Sequence, residues 1–198
     1  MCWSLQASLV TWIFALIITI YLFHRKYKND VVFACLLLVY SSMQLWEAMI
    51  WYDQKCGNMN STGTKLAYLA LYAHVLALAI GLYIEYKVVV PIYIGLLFLF
   101  AAFVFWPKSW GCSLPGGNKH LVWGFDPTFY LFSFATIVGL LLLYVRPLKT
   151  GVLTSLVFLI SFAISLYFQI KYKTIGSYWC WICAIISFFF IIVNSKYI

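Results

Sequence analysis

The chain has 198 residues, of which 65% are hydrophobic and 9% are charged, and its formal net charge is +8. A soluble domain carries about 25% charged residues, so this composition excludes a water-soluble protein and requires an outer surface that faces lipid. The basic excess is typical of the rim of a membrane protein and does not call for nucleic acid as a partner.

Seven apolar stretches predict seven transmembrane helices in one bundle, because about 20 apolar residues span a bilayer core of roughly 30 Å. None of them shows the apolar–polar alternation of a barrel strand. We therefore expect an all-α, polytopic fold with a single domain over residues 1–198. The predicted helices lie at about 5–23, 31–51, 64–84, 88–105, 127–145, 150–169 and 176–194.

The basic residues around the first helix indicate its orientation. Arg25, Lys26 and Lys28 follow this helix, and no lysine or arginine precedes it. The positive-inside rule then places the N-terminus outside or in a lumen and the C-terminus in the cytosol. The segment Trp106–Asp126 lies on the N-terminal side and is the one loop long enough to form a cap.

Cysteine and tryptophan concentrate at the N-terminal face of the predicted bundle. An aromatic belt with structural disulfides explains this pattern, and so does a shaped pocket beneath the long loop. The residues assigned to this face are Cys2, Cys56, Cys112, Cys180, Cys183, Trp3, Trp51, Trp106, Trp110, Trp123, Trp179 and Trp181, with Trp46 about one turn deeper.

Thiols on an outside or lumenal face are expected to be oxidised. Four of the five cysteines on this face can make two bridges, or Cys180 and Cys183 can remain a CxxC pair. Cys56 and Cys112 lie in the two largest loops and are the first choice for a disulfide. The tripeptide that begins at Asn60 is a glycosylation sequon on the same face, close to the membrane.

The second helix carries the densest set of polar residues within a span. Tyr40, Gln44, Glu47 and Trp51 share one of its faces, and His74 lies deeper, in the third helix. Ionisable groups in a span are candidates for function. The structural alternatives are a neutral Glu47 that only fixes helix packing and a core histidine whose hydrogen bonds are satisfied.

A second stripe on the third helix consists of small residues. Ala73, Ala77 and Gly81 follow one another at helical spacing. Small side chains let two helix backbones approach closely in a membrane. We therefore expect the third helix to pack closely against a neighbour along this stripe.

Several kinds of membrane chemistry do not fit the sequence. The last helix has no lysine before Lys196, which argues against a retinal Schiff base. His74 is the one histidine deep in a span, too few for a zinc hydrolase or a bis-histidine haem. We expect no metal, no cofactor and no enzymatic activity. The exception is a thiol oxidoreductase that would use Cys180 and Cys183 at the start of the seventh helix.

Four short motifs together resemble a family of small uncharacterised seven-helix membrane proteins from large DNA viruses and some protists. They are Met1-Cys2-Trp3-Ser4, Gln44-Leu45-Trp46-Glu47, His120-Leu121-Val122-Trp123 and Gly176-Ser177-Tyr178-Trp179-Cys180-Trp181. The resemblance covers most of the chain and implies an architecture with marked residues. It implies no reaction, and Cys183 is not part of it.

The sequence therefore favours a bundle that binds or conducts a proton, a small cation or a small molecule through a polar pocket. Glu47 would bear the charge, with Trp46 and Trp51 beside it. Gln44 and His74 would extend the path inward, and Asp126 and His120 would lie at its mouth. The alternatives are a receptor-like ligand-binding bundle and the thiol oxidoreductase. The expected partners are the lipid bilayer and a small ligand, and a homo-oligomer is compatible with the sequence.

Overall fold

The computed structural model describes residues 4–126 and 130–193, without the side chains of residues 176, 179–181, 183–185 and 193. Within these residues the chain is all-α apart from one short antiparallel hairpin. The helices are α1 Leu5–Arg25, α2 Asp30–Tyr52, α3 Asn58–Tyr86, α4 Val90–Val104, α5 Tyr130–Tyr144, α6 Leu148–Gln169 and α7 Ile175–Val193. The hairpin strands are β1 Leu114–Pro115 and β2 Leu121–Val122, and a 3-10 turn, Ile170–Tyr172, follows α6.

Four of these helices are long and apolar enough to cross a membrane: α1, α2, α3 and α6 with its 3-10 turn. Helices α4 and α5 are apolar but have 15 residues each. At 1.5 Å rise per residue α4 extends about 22 Å, short of a hydrocarbon core of roughly 30 Å, and the described part of α5 begins directly after residues that lie outside the description. Length and composition thus support four crossings within the described residues.

Helices α2 and α3 form the centre of the bundle. Helices α1 and α7 pack on α2, α5 packs on α3, and α6 lies between α5 and α7, while α4 packs on the outer side of α3. A Cβ atom at Gly81 would lie 2.7 Å from the Cα of Val32. The close packing that the small-residue stripe of α3 predicts is therefore present at Gly81, and the neighbour is α2.

The predicted helix limits that fall on described residues agree with the structure to within a few residues, with one exception, and the predicted start at 127 and end at 194 lie outside the described residues. Helix α3 begins at Asn58 and not at residue 64. The Asp53 carboxylate accepts hydrogen bonds from the N–H groups of Gly57, Met59 and Asn60 at 3.1–3.2 Å. These N–H groups have no partner inside the helix, so the carboxylate stabilises an early first turn.

The C-terminal end of α4 is stabilised by a tyrosine from α3. The Tyr68 hydroxyl lies 3.1 Å from the carbonyl oxygen of Ala102 and 2.9 Å from that of Phe105. The last carbonyls of a helix lack partners within it, and in lipid no water is at hand to replace them. Tyr68 thus allows α4 to end at Val104 beside the bundle.

On the face opposite the hairpin, polar contacts join the ends of four helices. Arg25 forms a buried salt bridge with Asp30 at 2.7 Å and donates to the carbonyl of Ile191 at 2.9 Å. Asn29 donates to the carbonyl of Arg146 at 2.9 Å. The turn between α1 and α2 is thereby attached to α7 and to the loop between α5 and α6.

Candidate functional site

Residues 106–126, between α4 and α5, form a cap over one end of the bundle. Cys56, in the turn between α2 and α3, forms a disulfide with Cys112 of the cap, with 5.5 Å between their Cα atoms. The disulfide that loop position predicts is confirmed. Through it the cap is covalently attached to the two central helices.

Asn60 and Ser113 make a second attachment beside the disulfide. The Asn60 side chain donates to the Ser113 carbonyl at 2.9 Å and accepts from the Ser113 N–H at 3.2 Å. The Ser113 hydroxyl lies 2.7 Å from that of Thr64 and accepts from the N–H of Gly124. Asn60 is only 1% exposed, so the amide of the sequon is occupied inside the fold.

The other end of the cap rests on α6 and α7. Asn118 donates to the Thr174 hydroxyl at 2.8 Å and also to Gln169. The imidazole of His120 contacts the ring of Tyr178 edge-on, with centroids 5.3 Å apart. Burial lowers the pKa of His120 below its ordinary value of 6.5. His120 therefore attaches the hairpin to α7.

A cavity of about 780 Å³, called here the aromatic cavity, lies between the cap, α3 and the start of α5. Its walls include a continuous set of rings: Trp123 stacks on Phe125 at 5.3 Å, and Tyr68 contacts Phe125 at 5.4 Å. Asp126 is exposed and is the one charged residue among those described as lining it. The lining is Tyr68, Tyr72, Phe105, Pro107, Ser109, Gly111, Trp123, Gly124, Phe125, Asp126 and Phe132.

Glu47 of α2 lies directly behind one wall of this cavity. The indole N–H of Trp123 donates to Glu47 Oε1 at 3.3 Å. Glu47 is 0% exposed, as is Gln44 one turn away on the same helix. The carboxyl is therefore one side chain removed from the cavity and closed off from it by the indole.

Deeper in the bundle, Tyr40, His74 and Tyr130 form a buried cluster. The rings of Tyr40 and His74 stack with centroids 4.0 Å apart, and the hydroxyls of Tyr40 and Tyr130 lie 3.2 Å apart. Neither imidazole nitrogen of His74 makes a hydrogen bond of normal geometry with the described residues, although the backbones of Val39 and Leu71 are close enough to interact. The cluster joins α2, α3 and α5.

The structure brings some of the sequence-predicted residues together and separates others. Glu47 meets the cap, Asp126 lines the aromatic cavity, and His74 stacks on the α2 face that also carries Gln44. His120 lies at the other end of the cap, where its ring packs against Tyr178 of α7. Trp46 and Trp51 are half-buried and pack on the core. The side chains of Cys180 and Cys183 lie outside the described residues.

Sequence reasoning missed the tyrosines of the site. Tyr68 and Tyr72 of α3 both line the aromatic cavity, and Tyr130 completes the buried cluster. Tyr68 and Tyr72 are four residues apart and share a helix face with Thr64, which binds the cap. This four-residue spacing is the sequence feature that predicts a shared tyrosine-bearing face on α3.

Comparison with descriptions of protein families, with curated proteins and with solved structures finds no match to this chain.

Proposed function

We propose that this chain is a multi-pass membrane protein that binds a small organic cation in the aromatic cavity. The observation that carries the proposal is the lining itself, which combines aromatic rings with one carboxylate, that of Asp126, and has no lysine or arginine among its described residues. The faces of aromatic rings attract cations, and a carboxylate adds a charge of opposite sign. A ring-walled pocket with one charged group is typical of small-molecule sites.

Burial of the polar groups favours binding over conduction. Glu47, Gln44 and His74 are all buried in the bundle, and Trp123 stands between Glu47 and the aromatic cavity. A cavity that is separated from the buried polar groups suits a receptor-like or carrier-like protein that holds its ligand at the capped face.

The test is equilibrium binding of tetramethylammonium to the purified protein in a maltoside detergent, by calorimetry. Replacing Asp126 with asparagine is expected to weaken binding by up to about fivefold, because an exposed ion pair contributes at most roughly 1 kcal/mol. Trp123→Leu removes a ring from the wall and is expected to have a similar effect. Glu85→Gln, an acid at the opposite face, is the control and should leave the affinity unchanged. The proposal would be contradicted if tetramethylammonium did not bind, or if it bound saturably with an affinity that Asp126→Asn left unchanged.

Passage of protons is the second candidate, and the contact between Trp123 and Glu47 favours it. If Trp123 moves, Glu47 opens to the cavity, and Gln44 with the Tyr40–His74 pair continues the polar groups inward along α2 and α3. In liposomes, Glu47→Gln should then abolish a proton flux that the wild type supports. A wild-type flux equal to that of empty liposomes would remove this candidate.

The proposal includes seven membrane crossings with the cap outside or in a lumen. Disulfides persist in oxidising compartments, and the basic residues after α1 favour a cytosolic position for that end. The seven-helix family from large DNA viruses and protists is proposed as the relative, and two of its motifs meet here at Glu47 and Trp123. A protease-accessible tag inserted at Lys108 tests the side of the cap.

A further inference from the structure

A second cavity, of about 230 Å³, lies between α4 and α5 and is called here the groove. It is lined by Leu97, Phe98 and Ala101 of α4 and by Phe132 of α5, all of them apolar. Leu97 is 64% exposed and Phe132 is 62% exposed. The groove therefore opens on the outside of the bundle, where a membrane protein meets lipid chains.

The groove adjoins the aromatic cavity. Phe132 lines both of them. On α4, the N–H of Phe105, a residue of the cavity wall, bonds to the carbonyl of Ala101 in the groove at 2.8 Å, so the two sites are one turn apart. The charged, ring-lined cavity and the apolar groove are therefore close enough for one elongated molecule to reach both.

We propose that the cavity and the groove together bind one amphiphile, whose cationic head lies beside Asp126 and whose alkyl chain lies in the groove. This rests on the cation site proposed above and names its ligand class. The described lining of the aromatic cavity offers a carboxylate and rings but no cationic side chain. An adjoining pocket that shares Trp123, Phe125 and Asp126 also contains Lys173. Within the aromatic cavity itself, a phosphate would face the Asp126 carboxylate with no cationic partner among the described lining residues, so the proposed ligand is a long-chain amine or quaternary ammonium compound.

A measurement of affinity alone does not show whether the alkyl chain occupies the groove. Lipid tails are as apolar as leucine side chains, so a chain gains little by moving from the bilayer or a micelle into the groove. Any amphiphile also concentrates in the apolar phase. The distinguishing observation is the position of the chain while the head occupies the aromatic cavity.

The experiment uses dodecyltrimethylammonium with a photoreactive diazirine near the end of its chain, added to the whole protein in maltoside micelles. Cross-links mapped by mass spectrometry are expected at Leu97, Phe98, Ala101 or Phe132. Excess tetramethylammonium, which competes for the head site alone, should reduce this labelling at least fivefold. Dodecylphosphocholine at the same concentration should compete less well.

Two variants fill the groove without touching the cation site. Ala101→Trp and Leu97→Trp are each expected to reduce labelling at the remaining groove residues at least fivefold and to leave the affinity for tetramethylammonium within twofold of wild type. Leu96→Trp, at an exposed position on the same helix outside the groove, is the matched control and should change neither. Retained tetramethylammonium binding shows that each variant is folded.

The outcomes separate this inference from the function on which it rests. Labelling spread over the lipid-facing surface and insensitive to tetramethylammonium would mean that the groove holds only annular lipid, and the inference would fail while the cation site stands. Stronger competition by dodecylphosphocholine would overturn the assigned head group. Absence of tetramethylammonium binding to the wild type would remove both proposals.

Discussion

Trp123 of the cap donates its indole hydrogen bond to Glu47 of α2, at 3.3 Å and across a separation of 76 positions in the chain. The same indole lines the aromatic cavity, so one side chain contacts both the proposed ligand space and the buried carboxyl. A substitution of either Trp123 or Glu47 should therefore alter both the attachment of the cap to α2 and the shape of the aromatic cavity.

Trp123→Phe should lower thermal stability, because it keeps a ring in the wall but removes the donor to Glu47. Loss of one partner of a buried hydrogen bond costs about 1–3 kcal/mol. A double-mutant cycle with Glu47→Leu, which removes the acceptor, measures the coupling, which should fall in the range of roughly 0.5–3 kcal/mol for groups in contact. A coupling of zero would mean that the two side chains do not interact.

Replacing both Cys56 and Cys112 with serine should loosen the cap. The bridge closes a segment with a sequence separation of 56, and a disulfide of this kind contributes typically about 2–4 kcal/mol. Both the midpoint of thermal unfolding and the affinity for tetramethylammonium should fall. Cys35→Ser, which changes a cysteine outside the cap, is the control and should leave both unchanged.

The sequon at Asn60 should remain unmodified in the folded protein, because the amide is bonded to Ser113 on both of its polar atoms. Expression in glycosylating cells should give the unmodified mass. Asn60→Ala should destabilise the protein by about 1–3 kcal/mol through the two lost hydrogen bonds. Thr62→Ala destroys the sequon at an exposed residue and should alter neither mass nor stability, and a mass change in this variant would show that the site is used.

Protonation of His120 at acidic pH should lower the free energy of unfolding of the protein. Burial lowers the pKa of its imidazole below 6.5, so the unfolded chain binds the proton more readily than the folded one. Stability from this group is present above pH 6.5 and is lost as the pH falls below that value. His120→Phe keeps a ring against Tyr178, and its thermal midpoint should depend less on pH between 7 and 5 than that of the wild type.

The helices were the predictable part of this molecule, because apolar runs and polar breaks determine them locally. The start of α3 was not predictable, since it depends on how Asp53 folds back onto the N–H groups of residues 57–60. The Cys56–Cys112 pairing followed from loop position. The neighbouring pair of hydrogen bonds between the Asn60 side chain and the Ser113 backbone carries no sequence signal.

For the candidate site, the sequence indicates which polar side chains are unusual, but not which residues contact them in the folded protein. Glu47, Asp126 and His74 were selected because charged and polar groups are unusual in apolar helices and at their ends. Trp123, the partner of Glu47, comes from the cap, and Tyr40, the partner of His74, comes from a neighbouring helix, so both pairings depend on tertiary packing. His120 was assigned to the mouth by loop position, yet its contact with Tyr178 is set by the hairpin between β1 and β2.

The unequal lengths of neighbouring helices have a consequence for the membrane around the protein. Helix α3 has 29 residues and extends about 43 Å, while α4 beside it has 15 residues and extends about 22 Å. If α4 crosses the bilayer, the lipid against that flank must thin, or residues beyond the ends of α4 must reach toward the interfaces. Hydrophobic mismatch would then be confined to one side of the bundle, and the protein should partition into thin membranes in preference to thick, sterol-rich ones.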